Sequence, residues 1–166
     1  MVIKYSIEEC CECFLSDEKI RAGMLDFISF LRGLKMNPSW YHTDSYKCHF
    51  KRERVLYIRL KPNKVSIKVC TTEAVHNDNG KLNTYLQIIP LNIKNEFMKQ
   101  IMYCDKINCR NHRNTCHGHD YKISGELYKN VCAESMYFRI ANPTAEQFKL
   151  LEKFVLARIE YIKCPL

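Results

Sequence analysis

The sequence predicts an α+β fold: an antiparallel sheet of about five or six strands, two main helices packed on one face, and a cysteine-rich, zinc-knuckle-like insert. Three observations predict it. Residues 18–35 and 144–162 repeat apolar side chains at helical spacing, and Tyr46 to Cys70 alternates with period two. Cys104 to Cys132 carries four cysteines and three histidines among few aliphatic residues, so burial alone does not hold it. A chain of 166 residues suits one domain, 1–166, with 104–132 as its insert.

The first elements are two helices. Ser6 and Glu9 have the spacing of a capping box, and Ile7, Cys10, Cys11, Phe14 and Leu15 share a helical face. Ser16, Asp17 and Glu18 then read as a new N-cap and acidic first turn. Ile20, Met24, Phe27, Ile28, Leu31 and Leu34 form an apolar stripe that should stop near Met36, because Pro38 disfavours helical geometry in the residue before it. Cys10-Cys11-Glu12-Cys13 contains a C-x-x-C. No strand precedes it, and two of its thiols fall on the apolar face, so it reads as core cysteine, with zinc or redox chemistry as alternatives.

Trp40 and Tyr41 fall between the second helix and the first expected strand, where they either plug the core edge or line a ligand pocket. From Tyr46 to Cys70, breaks at Arg52-Glu53 and Pro62-Asn63 suggest three meandering strands. Cys48, Phe50, Leu56, Ile58, Leu60, Val65, Ile67 and Val69 would face the core. Alternation then puts Lys47, His49, Lys51, Tyr57, Arg59, Lys61, Lys64, Ser66 and Lys68 on the other face.

Further on, Asn77-Asp78-Asn79-Gly80 is a turn signal, Leu82 to Ile89 reads as a strand, and Ile93 to Tyr103 as a helix burying Phe97 and Ile101. Tyr121 to Cys132 reads as a hairpin turning at Ser124-Gly125, and Met136 to Ile140 as another strand. Thr144 and Gln147 have capping-box spacing for a final helix striped by Phe148, Leu151, Phe154, Val155, Ile159 and Ile162.

The cysteine-rich segment is the metal candidate. Structural zinc takes four sulfur or nitrogen ligands, and Cys104, Cys109, Cys116 and Cys132 supply such a set, with His117 or His119 as alternates for one of them. Lys106, Arg110 and Arg113 lie between these cysteines and favour thiolate. Free thiols or disulfides are the competing readings, and four cysteines would close the coordination sphere against catalysis.

Twenty-six lysines and arginines against 18 acidic residues give a formal charge of +8, which attracts anions. Tyr57, Arg59 and Lys68 on the basic sheet face, with Trp40 and Tyr41, are candidate ligand contacts. That face would track a phosphate backbone and stack a base, be merely solvated or covered by a helix, or take a small anionic ligand. The opening residues lack the apolar run of a secretory signal, and no stretch reaches the about 18 apolar residues of a membrane span. A cytoplasmic location without a membrane partner is expected, and its reducing conditions would keep cysteines as thiols or metal ligands. No P-loop, nucleophile elbow, dinucleotide fingerprint or H-E-x-x-H is present.

The order of helix, Pro-Ser-Trp, strand meander, cysteine-rich insert, glycine-containing hairpin ending in cysteine, and Asn-Pro-Thr helix resembles small uncharacterised bacterial proteins carrying a domain of unknown function. The resemblance spans Met24 to Lys163 and implies no activity. The residues themselves point to a non-enzymatic, zinc-stabilised protein binding a small molecule or protein. Nucleic-acid binding is the alternative, and a cysteine- or zinc-dependent enzyme a more distant one.

Overall fold

The computed structural model describes residues 5–70, 91–101, 103, 118–123, 126–132 and 137–163. Its elements run α1 (Ile7–Phe14), α2 (Glu18–Gly33), β1 (Ser39–His42), β2 (Ser45–Phe50), β3 (Glu53–Lys61), β4 (Lys64–Cys70), α3 (Leu91–Met98), β5 (His119–Ile123), β6 (Glu126–Val131), β7 (Tyr137–Ala141) and α4 (Ala145–Lys163). The chain divides into two compact units, Met1–Cys70 with Arg139–Leu166, and Thr71–Phe138. The class is α+β, with an antiparallel five-stranded sheet in the order β1-β2-β3-β4-β7 and a separate two-stranded sheet, β5-β6.

In the first unit, local chemistry sets the helix ends. Ser6 accepts from the Glu9 amide at 3.2 Å while the Glu9 carboxylate accepts from the Ser6 amide at 2.6 Å, closing the capping box of α1. Asp17, not Ser16, caps α2 by accepting from the Lys19 and Ile20 amides. Ser16 is used elsewhere: its hydroxyl donates to Asn63 at 2.6 Å, tying the α1–α2 link to the β3–β4 turn. Helix α2 ends at Gly33, and Lys35, with φ 59°, turns the chain out through the left-handed region. The Thr144–Gln147 capping box opens α4 as the spacing predicts.

Met24, Phe27, Ile28 and Leu31 of α2 are buried, as are Phe148, Leu151, Phe154, Val155 and Ile159 of α4. The Phe27 and Phe148 rings meet with centroids 6.0 Å apart. A Cβ added at Gly23 would lie 2.5 Å from the Phe148 ring, so the absence of a side chain there is what lets the two helices close. Under them lie Cys48, Leu56, Ile58, Leu60, Val65, Ile67 and Val69, all buried. The pairs Cys48↔Leu56↔Val69 and Tyr46↔Ile58↔Ile67 run straight across β2, β3 and β4.

Tight hairpins hold that register. Pro62 and Asn63, the latter at φ 55°, turn β3 into β4 with Lys61 opposite Lys64. Lys51 and Arg52, at φ 49° and 73°, turn β2 into β3, one residue before the break expected at Arg52-Glu53. Asn142 secures β7 against β4: its amide donates to the Val65 carbonyl at 2.8 Å and its side chain accepts from the Val65 amide at 2.9 Å.

Three expectations change. Residues 39–42 form strand β1, so Trp40 and Tyr41 belong to the sheet and not to a connection before it. The helix expected over 93–103 spans Leu91–Met98, and the hairpin near its expected place makes its own sheet. The strand expected at 82–89 and most of the zinc-knuckle-like insert, 104–117, lie outside the described residues. In the second unit Phe97 and Val131 are fully buried, and Tyr103 bridges Val131.

The Gly23–Phe148 closure gives a stability test. Overpacking at such a contact costs about 1–3 kcal/mol, and the gain in helix propensity from glycine to alanine returns about 1 kcal/mol. Gly23→Ala is therefore expected to lower unfolding stability in denaturant titration, and pairing it with Phe148→Leu should recover part of the loss. An alanine variant as stable as the native chain would show that the helices do not need this close approach.

Candidate functional site

With one sheet face sealed by helices, alternation turns the other face outward. Across it Lys47 pairs Tyr57 and Tyr57 pairs Lys68, while Ser45 pairs Arg59 and Arg59 pairs Ser66. Adjacent strands lie about 4.8 Å apart, so each row sets side chains in lateral reach of one another. Tyr41 joins them: its ring centroid lies 5.8 Å from that of Tyr57, and the Lys47 ammonium sits 5.0 Å from its centre. Tyr41 remains 39% exposed, leaving ring surface available for a planar ligand.

The pairing of β2 with β3 contains a bulge. Cys48 pairs Leu56, but the next pair is His49 with Arg54, so Val55 stands opposite no residue. Strict alternation would send Arg54 toward the core with Leu56. The extra residue turns it to the His49 side, where its guanidinium lies 4.9 Å from the Tyr57 ring centre. Sequence reasoning missed Arg54 because a bulge leaves no compositional mark in Arg54-Val55-Leu56.

The ligand candidates therefore separate. Tyr41, Tyr57, Arg59 and Lys68 share the outward face, whereas Trp40 pairs with Tyr46 and by register lies on the opposite side of the sheet, exposed like Tyr41. Arg59 already donates to Asp44 at 2.8 Å, with the Lys61 ammonium 3.7 Å from the same oxygen. Partial burial pushes the Asp44 carboxyl up, but hydrogen bonds from Arg59 and Ser45 and the charges of Arg59 and Lys61 outweigh it and hold Asp44 below its ordinary value. The cationic centre thus lies nearer Lys47 and Arg54 than Arg59. Burial, followed by the charges of Lys47 and Arg54, lowers the His49 pKa. Burial raises that of Tyr57 against the opposing pull of Arg54, with Cys70 and Tyr41 adding to the rise.

One polar residue lies inside the apolar stripe of α4. Arg158 is 1% exposed, and its Nε and Nη1 have no hydrogen-bond partner among the described residues. The Tyr161 ring lies 5.2 Å from its guanidinium carbon. Burial of a charge costs several kcal/mol even after relaxation, and a cation–π contact returns about 1–2 kcal/mol. Position 158 falls seven residues after Leu151 and three after Val155, so helical spacing alone marks it as inward-facing.

Among the described thiols of the first unit, all but Cys13 behave as core groups. Cys10 and Cys11 are buried and Cys13 is exposed. Cys10 Sγ lies 3.0 Å from the Tyr46 hydroxyl, whose proton goes to the Tyr5 carbonyl at 3.1 Å, leaving the thiol as donor. Burial pushes Cys48 up to about 12; burial, then Cys10 and the nearby glutamates, does the same for Cys11. Burial also raises Cys70 to about 11, although the charges of Arg158, Arg54 and Lys68 pull the other way.

Of the expected zinc ligands, Cys132 is buried immediately after β6. Cys104, Cys109, Cys116 and His117 lie outside the described residues, and His119 is placed in β5 by its backbone. Among the described residues no helix is long and apolar enough to cross a membrane. Compared with protein-family models, with curated proteins and with solved structures, the chain matches none.

Raised thiol pKa values carry a pH consequence. An unfolded thiol titrates near 8.5, so folded Cys11, Cys48 and Cys70 hold their protons more tightly, and the folded state keeps that advantage in full below that pH. It is lost as pH rises through about 11 for Cys70 and about 12 for Cys11 and Cys48. Denaturant midpoints are expected to be level from about pH 7 to 8 and to fall above about 9, less steeply in Cys48→Ala. A level midpoint to pH 10.5 would contradict protonated core thiols.

Proposed function

We propose that this chain is a non-enzymatic binding protein whose basic, tyrosine-bearing sheet face takes single-stranded nucleic acid. The observation that supports this best is the Tyr41–Tyr57 pair with Lys47 and Arg54 against its rings. Bases stack on aromatic rings with little regard to sequence, while flanking cations follow the phosphates. Lys68 beside Tyr57, and Arg59 in the next row, extend the positive track. A duplex would offer its bases only at their edges, whereas an extended strand offers the planar faces that a tyrosine pair on a sheet accepts.

Structural zinc forms a second part of the proposal. Cys132, buried at the end of β6, is the proposed fourth thiolate for Cys104, Cys109 and Cys116, with His117 or His119 as the substitute ligand. Four-coordinate zinc would fasten residues 104–117 to that hairpin without leaving an open catalytic position. Protein purified without added zinc is expected to retain about one equivalent of it, and Cys132→Ser to lose most of that metal. Well under one equivalent in the native protein would remove this part and leave the sheet-face reading intact.

The strand-binding test uses fluorescence anisotropy with a short single-stranded oligonucleotide. Tyr41→Ala is expected to cost about 1–3 kcal/mol of affinity, and Lys47→Glu to flatten the salt dependence by about 0.7 in log–log slope for each phosphate that is no longer neutralised. Phosphate near His49 would reverse the effect of Lys47 and Arg54 on that imidazole, so binding should take up a proton. Affinity is therefore expected to rise as pH falls from 7.5 toward 5.5, and to rise less in His49→Gln. Equal affinity and equal salt slope in native protein and both face variants would falsify the assignment.

A further inference from the structure

Arg59 is held differently from the other cations of the outward face. Its Nε donates to Asp44 Oδ2 at 2.8 Å, and Asp44 is itself fixed, its other oxygen accepting from the Ser45 hydroxyl at 2.9 Å. Tying Nε sets the plane of the whole guanidinium, because its five N–H donors share one rigid fork. Nη1 and Nη2 then remain as a pair of parallel donors, with no acceptor among the described residues, on a side chain 57% exposed. Position matters as much. Arg59 follows Tyr57 by two residues on β3, so the two side chains stand on the same face about 7 Å apart along the strand. A base on the Tyr57 ring leaves its neighbour over Arg59.

From this arrangement we infer that Arg59, positioned by Asp44, reads guanine in the strand that the tyrosine face binds. The inference rests on the strand-binding reading and adds a base to it. A phosphate is a poor occupant for this guanidinium, because the Asp44 carboxylate 2.8 Å away offsets its charge and repels a second anion. A neutral base with two adjacent acceptors suits it better. Guanine presents N7 and O6 side by side, matched to two parallel N–H donors. Adenine sets its N6 amino group beside N7, and thymine or uracil sets N3–H between its carbonyls, so each would turn a donor against a donor. Cytosine has adjacent acceptors at O2 and N3, but O2 lies next to the glycosidic bond, where the sugar crowds the approach. Guanine is therefore the base that the fixed arginine fits best.

Fluorescence anisotropy on the full-length protein compares a short thymine strand with strands in which one central thymine is replaced by guanine, adenine, cytosine or 7-deazaguanine, which has carbon in place of N7. Adenine controls for purine stacking. The guanine strand is expected to bind the native protein about fivefold to tenfold more tightly than the adenine and cytosine strands, and 7-deazaguanine to lose most of that margin. Arg59→Lys keeps the charge but not the paired donors, and is expected to bring all strands to within about twofold of one another while its affinity for the thymine strand changes little. Asp44→Ala separates positioning from charge. Removing the carboxylate is expected to tighten binding of every strand at low salt and yet to shrink the guanine margin, which a change in net charge alone cannot do. If the native protein binds all strands alike and Tyr41→Ala still weakens them, the guanine assignment falls and the strand-binding reading stands. If the native protein binds none, both fall. A margin that favours cytosine, or one that survives 7-deazaguanine or Arg59→Lys, also overturns the inference.

Discussion

The closure of α2 and α4 over one side of the sheet is the constraint on which the other features depend. Once Phe27 and Phe148 meet and Cys48, Leu56, Ile58 and Ile67 are buried beneath the helices, every other residue of β2, β3 and β4 must face away. A shift of one residue in any of these strands would drive that strand's own cation, Lys47, Arg59 or Lys68, into the apolar layer. The cationic face is therefore enforced by the core, and its residues need no attraction to one another to share it. Many lysine-rich surfaces arise this way without any ligand, so the tyrosines matter more than the charge.

The departures from regular alternation are what distinguish this face from a plain solvent-exposed one. Tyr41 reaches the basic face by plain alternation from Trp40, whereas the bulge at Val55 is what brings Arg54 to the Tyr57 ring that Tyr41 also meets. Between β2 and β3, Lys51 and Arg52 both take positive φ without being glycine, a conformation that costs about 1–2 kcal/mol per residue. Asparagine-glycine would serve the turn with less strain. Lys51 at this tip lies with its ammonium 5.9 Å from the Phe50 ring centre.

What could be read from the sequence follows the range of the interactions involved. The capping boxes at Ser6 and Thr144, the stripes of α2 and α4, and the alternation over β3 and β4 are local patterns, and each appears where its spacing places it. Strand β1 was illegible because Ser39-Trp40-Tyr41-His42 does not alternate, and it exists through pairing with Tyr46 and Lys47. Arg54 was illegible for the same reason: whether the extra residue of a bulge is Val55 or a neighbour depends on the partner strand. Arg158 stood on a legible stripe, but reading only apolar residues into that stripe passed over it. The segment around Cys104, Cys109 and Cys116 has no periodicity to read, so its expectation rested on ligand spacing alone.

A buried guanidinium with donors left over is a local cost that the surrounding packing must carry. Leu151 and Val155 on the same face of α4 are fully buried, so the helix is held in place without help from Arg158. That separation matters, because a cation whose own burial kept the helix docked could not be left unsatisfied without loosening the fold. Here the apolar stripe anchors the helix, and the buried guanidinium is carried by it. A methionine at 158 would remove that cost, and the Tyr161 ring, 5.2 Å from the guanidinium carbon, offsets only part of it.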